Sequence, residues 1–157
     1  MEAVTVDVEV KQPAELLWMV HVKELELTSP ASNPGRYTKV LYLEGPPFAP
    51  GGVFKICYHE EFGHYEYVKF VWDAIDHDNY YFKITAIDGG FLTKHFEALS
   101  YEYRILPGKE PDSSIMSWRI EFKDKNKHEC HEILKQEVLK TCSIISAHAE
   151  TMKDWCN

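Results

Sequence analysis

Glu66, His95 and Tyr101 are the side chains of this sequence that could move a proton, provided that they face an internal cavity. Glu66 is in phase with Val68 and Phe70, so it either turns inward or sits at the strand mouth in solvent. A carboxylate drawn into apolar surroundings has its pKa raised and can serve as a general acid or base. His64 and His95 read first as rim or surface residues. Tyr101 and Tyr103 are the leading candidates for polar ligand contacts, because a buried phenol needs a hydrogen-bond partner. His128, Cys130 and His131 match metal ligands in type but not in spacing. Consecutive helical positions face different sides, and a closed zinc site takes four ligands. No metal and no cofactor is expected. Asp76-His77-Asp78-Asn79 carries turn chemistry, and neither a Ser-His-Asp arrangement nor a phosphate-loop spacing stands out.

Alternation places a large apolar set around these groups. Phe54, Ile56 and Tyr58 share one strand face, as do Val68, Phe70 and Trp72 on the next. Phe82 and Ile84, then Leu99, Tyr101 and Tyr103, then Met116, Trp118 and Ile120 continue the surface. Leu134, Val138, Cys142 and Ile145 recur at helical spacing, with Met152 beyond them. These residues are either plain core or the wall of a pocket. Pockets are mainly apolar with a few placed polar groups, and a sheet this rich in Tyr and Trp suits one.

The elements that must position them read as a run of strands followed by one helix. Val4, Val6, Val8 and Val10 alternate with Thr5, Asp7, Glu9 and Lys11 in a first half-buried strand. Pro13 opens a short helix from Ala14 to about Val22, whereas Ser29-Pro30 and Asn33-Pro34-Gly35 break any long helix after it. Strands are expected at Tyr37–Glu44, Val53–Tyr58, Tyr65–Asp73, Tyr80–Ile87, Phe91–Leu106 and Ser114–Lys123. Asn126 with Glu129 fits a helix start. A helix from there to the end, roughly 28 residues at ~1.5 Å each, would span about 42 Å. Its apolar stripe needs a long partner, and the concave face of the sheet is the candidate, which makes the class α+β with a curved antiparallel sheet around a C-terminal helix.

A chain of 157 residues fits one domain, 1–157. The formal charge of −8 and the scattered Lys and Arg disfavour a nucleic acid partner, which needs clustered cations. No apolar run approaches the ~20 residues of a membrane span. Met1-Glu2-Ala3-Val4 shows no signal-peptide pattern, and the four cysteines, Cys57, Cys130, Cys142 and Cys156, lack CxxC spacing. They are expected as free thiols, with the cytoplasm as address.

The order of strands and turns resembles the Bet v 1-like family of plant proteins, which takes in pathogenesis-related class 10 proteins, major latex proteins and norcoclaurine synthase. Tyr67-Val68-Lys69 through Asp76-His77-Asp78-Asn79-Tyr80 to Ile87-Asp88-Gly89-Gly90 carries the likeness best, and Glu97-Ala98-Leu99-Ser100-Tyr101-Glu102-Tyr103 and Ser114-Ile115-Met116 extend it. Pro34-Gly35 looks more like the norcoclaurine synthase branch. The resemblance implies a helix-grip fold: seven strands, two short helices closing one end, and a large internal cavity for an apolar or aromatic ligand. Flavonoids, cytokinins, brassinosteroid-like molecules and alkaloid precursors are the implied ligand classes.

Two departures bear on function. The family's glycine-rich loop is replaced by Gly45-Pro46-Pro47-Phe48-Ala49-Pro50-Gly51-Gly52. Proline offers no N–H to a phosphate, so a nucleotide or ribonuclease role is disfavoured. The catalytic Lys of norcoclaurine synthase falls at Phe82, the Asp at Tyr101 and the Glu at Val68 or Phe70. That chemistry does not carry over. The expectation is therefore a carrier of an apolar plant metabolite or hormone, monomeric or weakly dimeric. The alternative is a cavity cyclase or isomerase of alkaloid type that positions its substrate and assists with Glu66, Tyr101 or His95.

Overall fold

A computed structural model describes residues 1–23, 37–58, 66–92, 95–125 and 131–152. Alternation becomes seven strands: β1 (Glu2–Val10), β2 (Tyr37–Glu44), β3 (Val53–Tyr58), β4 (Tyr67–Asp76), β5 (Tyr81–Gly89), β6 (Phe96–Pro107) and β7 (Ser114–Asp124). They pair antiparallel in the order β1-β7-β6-β5-β4-β3-β2. The alternation is cleanest in β3 and β7. Phe54, Ile56 and Tyr58 are buried while Val53, Lys55 and Cys57 are half-covered, and Met116, Trp118, Ile120 and Phe122 are buried between more exposed neighbours. The register slips between Lys69 and Phe70 and between Trp72 and Ala74 on β4. Such bulges bend a strand and sharpen its twist, which helps the sheet to curve.

The loop between β2 and β3 is stapled to β4 at Trp72. Gly51 N–H donates to the Trp72 carbonyl and Trp72 N–H to the Gly52 carbonyl, each at 2.9 Å. Phe48, held at a φ of 56°, lays its ring 5.4 Å from that of Trp72. Gly51, Gly52 and Phe48 thus brace this loop against β4.

Helix α1 (Ala14–Trp18) runs directly into a π-helical turn, Met19–Lys23. Helix α2 (His131–Met152) presents Leu134, Val138, Cys142, Ile145 and Ala149 as a buried stripe to the sheet. Its 22 residues span about 33 Å. The expected start at Asn126, the second short helix and Trp155 lie outside the described residues. Gln12 pins α2 to the sheet: its Nε2 donates to Glu150 at 2.9 Å, and its Oε1 and backbone carbonyl accept from Ser146 and Ser114, both at 2.8 Å. No described helix is long and apolar enough to cross a membrane.

Candidate functional site

The concave face of the sheet and α2 enclose a cavity of about 80 Å³. Phe54, Ile56 and Tyr58 of β3 and Val68, Phe70 and Trp72 of β4 form one wall. Phe82, Ile84, Leu99, Tyr101 and Trp118 continue it across β5, β6 and β7. Gly90 and Phe91, on the turn after β5, close one side. His21 of the π-turn and Glu137, Val138 and Thr141 of α2 complete the lining. Gly90 has a φ of +60°, and a Cβ there would come within 3.1 Å of Val68 Cγ2, so glycine suits this corner.

Most of the expected wall is therefore in place. Tyr103, Met116, Leu134, Cys142 and Ile145 are not part of it: all five are buried core positions outside the lining. For Tyr103 the cause is clear. Trp18 stacks parallel on its ring, and His21 and Trp118 close on it with centroids 5.1 and 4.5 Å away. Its hydroxyl has no hydrogen-bond partner among the described residues, contrary to the rule that made it a candidate ligand contact. Burial, and secondarily Cys142, pushes its phenol well above the ordinary value.

The proton-transfer candidates separate. Glu66 is exposed on the bend before β4, because the β3–β4 ladder closes where Tyr58 N–H donates to the Glu66 carbonyl at 2.8 Å. Of the two alternatives read for Glu66, the solvent-facing one is found. His95 is half-buried with its ring 5.8 Å from Phe91, outside the lining, and its N–H donates to the Phe91 carbonyl at 2.9 Å. Tyr101 lines the cavity, edge-on to Phe70 and Trp118. His64, His128 and Cys130 lie outside the described residues. The structure also supplies groups not foreseen. Glu137 and Thr141 lie one residue before and three after Val138 on α2, where helical spacing carried a signal, whereas His21 lies on the π-helical turn, outside that period.

The cavity is smaller than the large hollow implied by the resemblance. Ligand pockets commonly measure roughly 300–1,000 Å³. Aromatic rings take up the difference. Phe82 alone sits 5.1–6.2 Å, centroid to centroid, from Tyr103, Trp72, His21, Trp118 and Trp18.

A curved antiparallel sheet gripping a C-terminal helix over an aromatic-lined cavity defines the helix-grip class of α+β proteins. Residues 1–152 match the model of the pathogenesis-related protein Bet v 1 family, and the chain belongs to that family. MLP-like protein 423 of Arabidopsis thaliana is 28% identical over 139 residues, covering 88% of this chain and 84% of the relative. Among solved structures, major latex-like protein 151 of Panax ginseng superposes with a TM-score of 0.77 at 16% identity, covering 94% of this chain and 97% of that one. Norcoclaurine synthase of Thalictrum flavum, solved with dopamine and hydroxybenzaldehyde, gives 0.71 at 18% identity, covering 93% and 84%. Likeness at these identities establishes the shared fold.

Proposed function

We propose that the chain, as one domain, binds an apolar or aromatic small molecule of plant metabolism, a specialised metabolite or hormone, in the cavity beneath α2. The observation that carries this reading is the lining itself: seven aromatic rings from five neighbouring strands, with few polar groups among them. A cavity of this size suits one ring or a short chain, and larger guests require the walls to part. A cytoplasmic address is part of this proposal, and Cys57 and Cys142 form no disulfide with each other. The test is titration with a panel of one-ring and multi-ring aromatics while following tryptophan fluorescence, since Trp72 and Trp118 both face the site. Saturable one-to-one quenching is the expected result. A panel that gives no saturable signal overturns the reading.

One observation favours a second reading, catalysis. His21 brings an imidazole into the wall, and Glu137 brings a carboxylate. An imidazole can take and return a proton while the rings hold a substrate in one conformation. Turnover of amine–aldehyde pairs or unstable alkaloid-type intermediates above the spontaneous rate, lost in His21→Ala, is the result this reading requires.

A further inference from the structure

Three tryptophans lie among the described residues, and their indole N–H groups are treated differently. That of Trp18 donates to His77 Nδ1 at 3.2 Å. Those of Trp72 and Trp118 are buried with no hydrogen-bond partner among the described residues. An indole nitrogen can only donate. A donor buried without an acceptor costs free energy, so two of them around one site call for a cause. Both tryptophans line the cavity, and both pack on the same ring, Phe82, at 5.5 and 5.8 Å.

The missing complement is an acceptor. No Lys or Arg is among the described lining residues, and Glu137 contributes a carboxylate, so an anion is opposed. The walls accept a flat ring. We propose that the cavity takes an uncharged aromatic molecule bearing a carbonyl-type oxygen, and that Trp72 and Trp118 are its hydrogen-bond donors. This rests on the reading of the cavity as a ligand site. It adds the polarity of the guest and the residues that read it.

The experiment compares two probes of one shape, acetophenone and ethylbenzene, by calorimetry and by nuclear magnetic resonance of the indole N–H signals. Trp72→Phe and Trp118→Phe assign the signals and remove each donor while keeping a ring. Acetophenone is expected to move the Trp72 or Trp118 indole signal downfield, and ethylbenzene to leave both near their free positions. Loss of the donor is expected to weaken acetophenone about three- to tenfold and ethylbenzene hardly at all. Equal affinities for the two probes, with indole shifts alike, overturn the donor assignment while the cavity reading stands. Failure of both probes to bind the wild-type protein overturns the cavity reading and this inference together. Should a variant fail to fold, the wild-type indole shifts decide by themselves.

Discussion

The indole N–H of Trp18 donates to Nδ1 of His77 across 3.2 Å, joining α1 to the turn between β4 and β5. Because Nδ1 accepts, the neutral imidazole carries its proton on Nε2. The same indole stacks on Tyr103 at 6.5 Å with planes 6° apart. One side chain thus links the short helix, a hairpin tip and the middle of the sheet, and it seals the end of the core next to the cavity.

His77→Ala removes the acceptor, and because His77 is exposed, water can reach the indole N–H of Trp18 in its place. The expected cost is about 0.5–1.5 kcal/mol. For a chain of this length each kcal/mol lowers the melting temperature by about 2–4 °C. Thermal unfolding followed by circular dichroism checks it. An unchanged midpoint would mean that the hydrogen bond contributes nothing net.

Tyr103→Phe deletes a hydroxyl that is buried without a partner. Removal of such a group is expected to be neutral or to stabilise by about 1 kcal/mol. The pH dependence sharpens this. In the native state the phenol is held well above its ordinary value of 10.0, chiefly by burial. The unfolded chain therefore releases this proton at lower pH than the folded one, and rising pH favours unfolding above about pH 10. Below that the residue adds no slope. The advantage of the variant should widen in alkaline denaturation series, and a constant difference between pH 8 and pH 11 would contradict the buried, unpartnered phenol.

Asp76 organises the β4–β5 turn. Its Oδ1 accepts from the N–H groups of Asp78 at 3.0 Å and Asn79 at 3.2 Å, and its Oδ2 from Asn79 Nδ2 at 2.6 Å. The Asn79 side-chain hydrogen bond, then the backbone donors and His77, hold the carboxyl below its ordinary value of 3.8. A lowered folded-state value adds stability that is complete above the unfolded value and lost as pH falls through the folded one. Asn79→Ala should therefore move the Asp76 titration upward toward the ordinary value. Carbon-detected carboxyl titration reads it directly, and an unmoved midpoint would remove Asn79 as the cause.

The strands were legible because period-two burial needs only residue types, as β2 and β3 show: both run over the expected residues. Where strands stop was less so. Alternation carried β4 back to Tyr65 and made Glu66 an inward candidate, yet the ladder ends at the Tyr58–Glu66 hydrogen bond and leaves the side chain in solvent. Membership of the inward face was also readable, but volume was not. Trp18, Tyr103 and Phe82 are each inward-facing, and only their mutual ring geometry shows that together they fill space that the same face could have left open. His21 was hidden by a different cause. It lies on a π-helical turn, which does not follow the 3.6-residue period used to sort helical faces.

Phe82 sets the size of the cavity. It is buried on β5 opposite Tyr103 on β6, it lines the cavity, and it touches the rings of Trp72 and Trp118 that flank the same space. A smaller side chain there joins its vacated volume to the existing space, since packed interiors relax only partly around a deletion. Phe82→Ala is expected to cost about 3–5 kcal/mol of stability. Phe82→Leu keeps more of the packing and should retain the fold. Both variants should admit two-ring aromatics that the wild-type protein binds weakly, with affinity for the larger guests rising and affinity for one-ring guests falling. Fluorescence titration across a one-, two- and three-ring series measures this. If Phe82→Leu leaves the ranking of the series as it is in the wild type, the ring of Phe82 does not limit the guest, and the walls must open elsewhere to admit one.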